Sequence, residues 1–395
     1  MLDKGEEDIF MLRQLMFEQG PIRPPSESHS LLLRTTRGCP WNKCTFCSAY
    51  TNQKFSLRSV EDVKEDIKTI KAIVDEIVEL SVRLGYGGTV SPQVYQQVAE
   101  QRGGNSSYMN VAMWLYHGAG DCFLQDGDNI AMRFKDLVEV LQFLRTTLHQ
   151  IRRVTTYSRS KSIARRTPEE LCEIHAAGLD RIHVGLESGC DAVLDYVKKG
   201  TTGAIHIEAG RQVVAAGMEL SVYIIPGLGG KKLWQEHARD TAGVINQINP
   251  HFIRLRSLRV PERIPLYKDL QDGTFEQPSD DMIIEEIRLF IESLQGITST
   301  LASDHILNIL GDINGVLPAD KEKMLAVISE YEALPADDKI IFRIGRRGGA
   351  YNSLSDLYRD EGLRTKINKI VRDIDVEKGA DGVEAFIKEL ADTLS

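Results

Sequence analysis

The chain has 395 residues, enough for one large domain plus a smaller one, and its 42% hydrophobic and 27% charged content is ordinary for a soluble globular protein. A formal net charge of -9 argues against a broad basic footprint for nucleic acid. No apolar run approaches the roughly 18 residues that a membrane span needs, and the charged opening MLDKGEEDIFMLRQLMF lacks the continuous apolar core of a signal peptide, so a cytoplasmic protein is expected.

Short apolar or β-branched runs alternate with longer helical segments from about residue 30 to 260. The first strand is expected at Leu31–Thr36, and three cysteines follow it directly. A long helix comes next: Ser59 with Asp62 resembles a capping box, Val60, Val63, Ile67, Ile70, Ile73 and Ile77 recur at spacings of three and four, and Gly85 is a stop. Residues 86–118 are polar, Gly-rich and of uncertain structure. The second strand, Cys122–Gln125, ends in Asp126-Gly127-Asp128, and Leu137, Leu141, Leu144 and Leu148 mark a helix. The third strand is Val154–Tyr157. Thr167-Pro168-Glu169-Glu170 then combines an N-cap, a proline at the first helical position and a glutamate at the third, and Gly178 closes that helix. The fourth strand, Arg181–Leu186, runs into Glu187-Ser188-Gly189, with helical segments to Ala216. The fifth, Leu220–Ile225, ends in Pro226-Gly227-Leu228-Gly229-Gly230. A helix with Leu233, His237, Val244 and Ile248 leads to the sixth, Phe252–Arg256.

Six β-then-α units predict an α/β fold with a parallel sheet and right-handed crossovers. An open doubly wound sheet and a partial barrel both fit the pattern. Past Pro265 the strand signals fade. Met282, Ile283, Ile287, Phe290, Ile291 and Leu294 form one helical stripe, and residues 319–334 and 365–395 also read as helical. The expected organisation is an N-terminal segment (1–30), a core (31–265) with an insertion near 86–118, and a C-terminal helical extension (266–395).

Active sites of parallel α/β folds lie at the C-terminal ends of the strands. That edge collects the cysteines, Asp126-Gly127-Asp128, Tyr157-Ser158-Arg159, Glu187-Ser188, the turn opening with Pro226-Gly227, and Arg254 with Arg256. Any one of these is also ordinary turn chemistry. Cys39, Cys44 and Cys47 are three of six cysteines, packed into RGCPWNKCTFCS. Structural zinc wants four ligands and no second pair exists, since Cys122, Cys172 and Cys190 are scattered. A 4Fe–4S cluster takes one thiolate per iron, so three ligands leave one iron open to substrate.

This loop, with Phe46 just before Cys47, resembles the radical S-adenosylmethionine (SAM) superfamily, whose usual spacing is three and then two residues. Here the first gap, Pro40-Trp41-Asn42-Lys43, is four. The resemblance covers about 28–265 and points to the group containing the elongator catalytic subunit, the methylthiotransferases and the nitrogenase cofactor maturase. It implies a six-unit partial (β/α) barrel in place of the doubly wound alternative. It also implies that Cys39, Cys44 and Cys47 bind a 4Fe–4S cluster whose fourth iron chelates SAM, and that reductive cleavage of SAM yields a 5′-deoxyadenosyl radical. The family's Gly-Gly-Glu loop corresponds to Asp126-Gly127-Asp128, beside the SAM amino group, with the backbone role transferring better than a side-chain role. Glu187 and Ser188 match ribose-side residues, and Lys198 or Lys199 a partner for the SAM carboxylate. Tyr157, Ser158, Arg159, Pro226, Gly227 and Arg256 complete the implied cofactor contacts. No catalytic residue is singled out. A low-potential electron donor such as a flavodoxin or ferredoxin is the implied partner, in an anaerobic or well-protected cell interior.

Other residues carry structural expectations. Trp41 and Phe46 shield the cluster or pack the loop, His183 is a core histidine, and His237 is structural or solvated. Ser303-Asp304-His305 with Asn308 is an N-cap, with a substrate or lid contact as the alternative. Arg343, Arg346 and Arg347 form a solvated basic loop, with an anionic substrate group as the alternative. Cys122, Cys172 and Cys190 are small buried hydrophobes. Only 38 residues precede Cys39, which argues against an N-terminal cobalamin domain, and no second cysteine cluster signals an auxiliary iron–sulfur centre. The expected substrate is a small organic molecule. A non-catalytic iron–sulfur carrier or electron-transfer protein and a zinc-stabilised binding module are the competing readings.

Overall fold

The computed structural model describes residues 15–393. Most of the charged opening stretch, residues 1–14, lies outside the described residues. Two compact units divide the chain. The first holds the chain up to Pro40, Asn52–Ser158 and Pro168–Ile182; the second holds Trp41–Thr51, Arg159–Thr167 and everything from His183.

In the first unit, β1 (Leu31–Arg34) pairs in parallel with β2 (Asp121–Gln125), Leu31 opposite Cys122 and Leu33 opposite Leu124. β3 (Arg153–Ser158) pairs in parallel with β2, Cys122 opposite Val154. Helix α1 (Val60–Arg83) forms as its sequence predicts: Ser59 accepts a hydrogen bond from the Asp62 N–H at 3.1 Å, and all six residues of its apolar stripe are buried. The uncertain stretch resolves into α2 (Pro92–Arg102) and α3 (Ser106–Tyr116). Their caps were readable, Ser91 before Pro92 and Asn105 before Ser106, but neither helix has a single apolar stripe. Helices α4 (Phe134–Thr147) and α5 (Pro168–Ala176) stand where expected, and Gly178 has a φ of +119°.

In the second unit come β4 (Arg181–Glu187, whose first two residues belong to the first unit), α6 (Asp191–Tyr196), α7 (Gly203–Ala215), β5 (Glu219–Ile224), α8 (Trp234–Ile248) and β6 (Phe252–Leu255). β6 pairs in parallel with β5, Ser221 opposite Phe252. Then follow α9 (Leu266–Gln271) and α10 (Asp280–Ser293), which buries Ile283, Ile287, Phe290 and Ile291 of the predicted stripe.

The extension is not wholly helical. β7 (Thr300–Ala302) pairs in parallel with β6, and β8 (Asn314–Val316) pairs antiparallel with β7. Three residues each, they are too short to show a period. Helices α11 (Lys321–Glu332), α12 (Ala336–Arg347) and α13 (Glu361–Asp392) end the chain, α13 being broken at Gly379 (φ 69°, ψ -176°).

Strands β1 to β8 lie in one mostly parallel eight-stranded sheet whose spatial order is their chain order, and Thr36–Arg37 pairs antiparallel with Ser56–Leu57 in a separate two-stranded sheet. A doubly wound sheet reverses direction at a switch point. No reversal occurs here, so the winding is that of the partial barrel with two added strands. Among the described residues no helix is long and apolar enough to cross a membrane.

Removing the Ser59 hydroxyl leaves the start of α1 without its cap. Ser59→Ala is expected to lower unfolding stability by about 1 kcal/mol, read as a lower urea midpoint with an unchanged slope.

Candidate functional site

In the first unit the strand ends are wired together by one amide. The Asn129 side-chain oxygen accepts from the hydroxyls of Thr35 and Thr36, which follow β1, and its NH2 donates to the carbonyls of Leu124 and Gln125 and to the Thr156 hydroxyl on β3, at 2.8–3.0 Å. The Gly127 N–H donates to the carbonyl of Gly38, the residue before Cys39, at 3.2 Å. Ser158 Oγ donates to Asp128 at 2.8 Å. The predicted residues Gly127, Asp128 and Ser158 thus stand in one hydrogen-bonded set that reaches the neighbour of Cys39. Asp126 is fully buried at a φ of +76°; its Oδ2 is ion-paired with Arg34, while its Oδ1 is buried without a hydrogen-bond partner. Tyr157 is half-buried, its ring edge-on to Phe123 at 5.2 Å.

Glu18 in the N-terminal segment was not singled out from the sequence. It takes a two-pronged contact from Arg37 (2.6 Å each), and Arg34 (3.0 Å) and Arg58 (3.2 Å). The Arg37 hydrogen bonds hold its carboxyl below the usual range, against the opposing effect of burial.

In the second unit the Cys44–Cys47 segment is clamped by its backbone. The Thr45 N–H donates to Val197 O (3.0 Å) and the Thr45 carbonyl accepts from the Leu266 N–H (2.9 Å). Phe46 packs on an apolar cluster that includes Val193, Val197, Leu228, Leu258 and Val260. Trp41 donates its indole N–H to Lys198 O at 2.7 Å, and its ring lies against Gly200 so closely that a Cβ there would sit 2.3 Å from it. Gly200 also has a φ of +70°, so both space and backbone require glycine. The cations of Lys43, Arg159 and Lys161 lie 5.0–5.9 Å from the Trp41 ring centroid.

Lys199 is buried beside this loop. Its ammonium donates to Glu187 at 2.8 Å and lies 5.6 Å from the Phe46 ring centroid. Arg159 donates to the Lys199 carbonyl at 2.9 Å. Burial works against the Lys199 charge, but Glu187 and Cys44 outweigh it and raise its pKa. Burial pushes the Cys44 thiol up to about 11, with Lys199 acting in the opposite direction. Cys44, Arg159, Glu187 and Lys199 therefore form one electrostatic group, and Ser188 braces its turn by accepting from the Cys190 N–H at 3.0 Å. His206, also not foreseen, bonds Ser160 Oγ at 2.6 Å. Burial, then Lys199 and Arg159, depress its pKa to about 3 and keep it neutral.

The turn after β5 is held from below. Gly227 N–H (3.0 Å) and His237 Nδ1 (2.7 Å) converge on Glu286 Oε1, while His237 Nε2 faces the Glu187 carbonyl at 3.3 Å. The Pro226 carbonyl accepts from the Leu258 N–H at 2.8 Å. Glu286 was legible in principle, since it lies three residues after Ile283 on the apolar face of α10. Arg256 does not join this group: its side chain is exposed, and its charge acts on His305.

Several expectations need correction. Cys172 is exposed, whereas Cys122 and Cys190 are buried. Ser303, His305 and Asn308 cap no helix. Ser303 donates to Leu310 O, Asp304 pairs with Arg254 at 2.9 Å, and Asn308 accepts from Ser257 and donates to Leu255 O. Arg343, Arg346 and Arg347 lie on α12, and the last two are buried. They looked like a loop because Gly348-Gly349 follows them directly. His183 is a fully buried core residue, as expected.

No family model matches the chain. Over 199 residues, 50% of its length, it is 28% identical to the 4′-phospho-dehydrooxetanocin synthase of Priestia megaterium, and the match spans 23% of that relative. Solved structures similar to it include the cobalamin-dependent S-adenosylmethionine radical enzyme OxsB with aqua-cobalamin and SAM bound. The identity is 13% and the TM-score 0.44, over 92% of this chain and 58% of that one. Another is the radical SAM methyltransferase TsrM of Kitasatospora setae with cobalamin and a 4Fe–4S cluster (13%, TM-score 0.42, 92% and 67%). A third is Elp3 of the archaeon Methanocaldococcus infernus (17%, TM-score 0.40, 54% and 55%).

The buried His237–Glu286 pair makes a pH-dependent contribution. Burial opposes the imidazolium, but Glu286, with help from the Glu187 carbonyl and Asp240, raises its pKa above the ordinary value. The contribution is complete below the unfolded pKa of ~6.5 and is lost as pH rises through the raised folded value. His237→Gln should cost about 3 kcal/mol at pH 6, and the gap from the unsubstituted protein should narrow by pH 9 in urea unfolding. A gap that widens with pH would refute this assignment.

Proposed function

We propose that this chain is a radical SAM enzyme in which Cys39, Cys44 and Cys47 ligate a 4Fe–4S cluster and the second-unit group around Lys199 holds SAM. The observation that carries this reading is the meeting of Cys44, Arg159, Glu187 and Lys199 in one electrostatic group.

Among the described residues no three His, Cys, Asp or Glu side chains gather tightly enough to grip one metal ion. A cluster takes one thiol to each iron, and Cys44 and Cys47 stand on a loop clamped through the Thr45 backbone. When bound, the cluster supplies the low-potential electron that cleaves SAM to methionine and a 5′-deoxyadenosyl radical. The chain's own work is to bind and orient. Lys199 offers a fixed positive charge to the SAM carboxylate, and Glu187 offers acceptor oxygens to ribose hydroxyls, so the Lys199–Glu187 pair loosens to admit the cofactor. Gly127 and Asp128 hold the turn that faces the amino group. Tyr157, Ser158, Arg159, Ser188 and the Pro226-Gly227 turn complete the cradle, and Arg256 lies at its rim. Trp41 and Phe46 keep water from the loop.

The electron comes from a flavodoxin- or ferredoxin-class donor in a cytoplasmic setting. The substrate is a small organic molecule. The curated relative's name describes a phosphorylated product, and a phosphorylated substrate is the class proposed here.

Anaerobic reconstitution with iron and sulfide, then dithionite and SAM, should release 5′-deoxyadenosine. Cys39→Ala, Cys44→Ala and Cys47→Ala should each abolish release, and Lys199→Met should raise the SAM KM at least tenfold. A fully loaded sample that leaves SAM intact would sink the proposal.

A further inference from the structure

Arg259 lies in the segment after β6, between Leu258 and Val260, both part of the apolar cluster on which Phe46 packs. Its Nε and Nη2 are buried and have no hydrogen-bond partner. These two N–H groups are the side-on edge of the guanidinium, the edge that grips two oxygens of one oxyanion at once. A guanidinium cannot shed its proton to escape burial, so a buried one needs an anion.

The surroundings supply too few anions. Asp280 is a buried carboxylate shared by three arginines. Its Oδ2 is taken by Arg343 and its Oδ1 by Arg347, each at 3.0 Å. Arg343 also holds the exposed Glu384, and Arg347 donates to Leu307 O while its own Nε is buried without a partner. Burial, then the Arg347 charge, pull the Arg259 pKa down to about 10, with Asp280 and Asp392 only partly offsetting them. Asp392 ends α13, beyond the break at Gly379.

We infer that Arg259, backed by Arg347, is a binding site for a phosphate group, which its side-on edge grips through two oxygens. A phosphate fits better than a carboxylate because two buried guanidinium groups, not one, hold donors without acceptors. Arg259 as a whole is half-buried, with its Nε and Nη2 edge turned into the protein, and the Asp392 carboxylate acts on it through its charge. That the phosphate belongs to the substrate rests on the radical SAM reading; the binding itself does not.

The full-length protein, without cluster or SAM, is titrated calorimetrically with inorganic phosphate and, separately, with acetate. Saturable phosphate binding of one ion per chain is expected, at least tenfold tighter than acetate. Arg259→Met should weaken it at least tenfold while melting no lower than the unsubstituted protein, because it removes an unpaired buried charge. Arg259→Lys keeps the charge without the two-pronged edge and should weaken it similarly, so the test survives if the Met variant does not fold. No saturable phosphate binding, acetate binding as tight as phosphate, or unchanged affinity in the variants would overturn the inference. SAM cleavage by the reconstituted protein is scored separately, so either reading can fail while the other stands.

Discussion

A lysine ammonium buried beside a cysteine loop must have a partner, and much of the second unit is arranged around that requirement. Lys199 finds Glu187 at 2.8 Å. Glu187 ends β4 at a φ of +66°, a conformation that a bulky residue adopts only when its surroundings hold it there. Its carbonyl accepts from the Ile225 N–H at 3.0 Å and faces His237 Nε2, and His237 passes the load to Glu286. Glu286 in turn holds the Gly227 N–H. One chain of contacts therefore fixes the turn after β4 and the turn after β5. Each link is buried or nearly so, where an unmade hydrogen bond is costly.

The first unit meets a related requirement with a neutral group. Asn129 satisfies four strand-end groups with one side-chain amide and shares a fifth, so the ends of β1, β2 and β3 are registered without placing a charge among them. The charges stand next to this amide. Glu18 answers three arginines from the N-terminal segment, and that segment is itself pinned by Gln125, which both donates to and accepts from the Gly20 backbone. A segment that reads as a leader to the fold is thus the counter-ion of its first strand.

The sequence showed the six parallel strands and the helices between them because each carries either a caps-plus-stripe signature or a short apolar run bounded by turn residues. It failed where the signal is distributed. Helices α2 and α3 have good caps but no single apolar face, and β7 and β8 are too short to have a period. Glu187 and Arg159, named from the strand ends, and Lys199, named from the segment after β4, are linked here by hydrogen bonds. The site was not legible where a partner comes from far along the chain. Trp41 packing on Gly200, 159 residues away, or Glu286 meeting His237, 49 residues away, leaves no local pattern. Arg256 follows β6 as expected from the sequence, and it is exposed.

The arginines of α12 show what separates a structural cation from one with unused capacity. All looked alike in sequence, as basic residues before a Gly-Gly pair. In the fold Arg346 donates to the Asn308 and Tyr351 carbonyls, and Arg343 divides its donors between Asp280 and Glu384. These bonds tie α12 to the loop after β7, to the first turn of α10 and to α13. Removing either side chain would therefore disturb packing before it disturbed any ligand. Burial alone does not mark such residues, and neither does charge. What distinguishes them is whether every N–H is matched to an oxygen that the chain itself provides. The same accounting explains why Lys199, buried but paired with Glu187, is stable as a cation and still able to exchange that partner for another carboxylate.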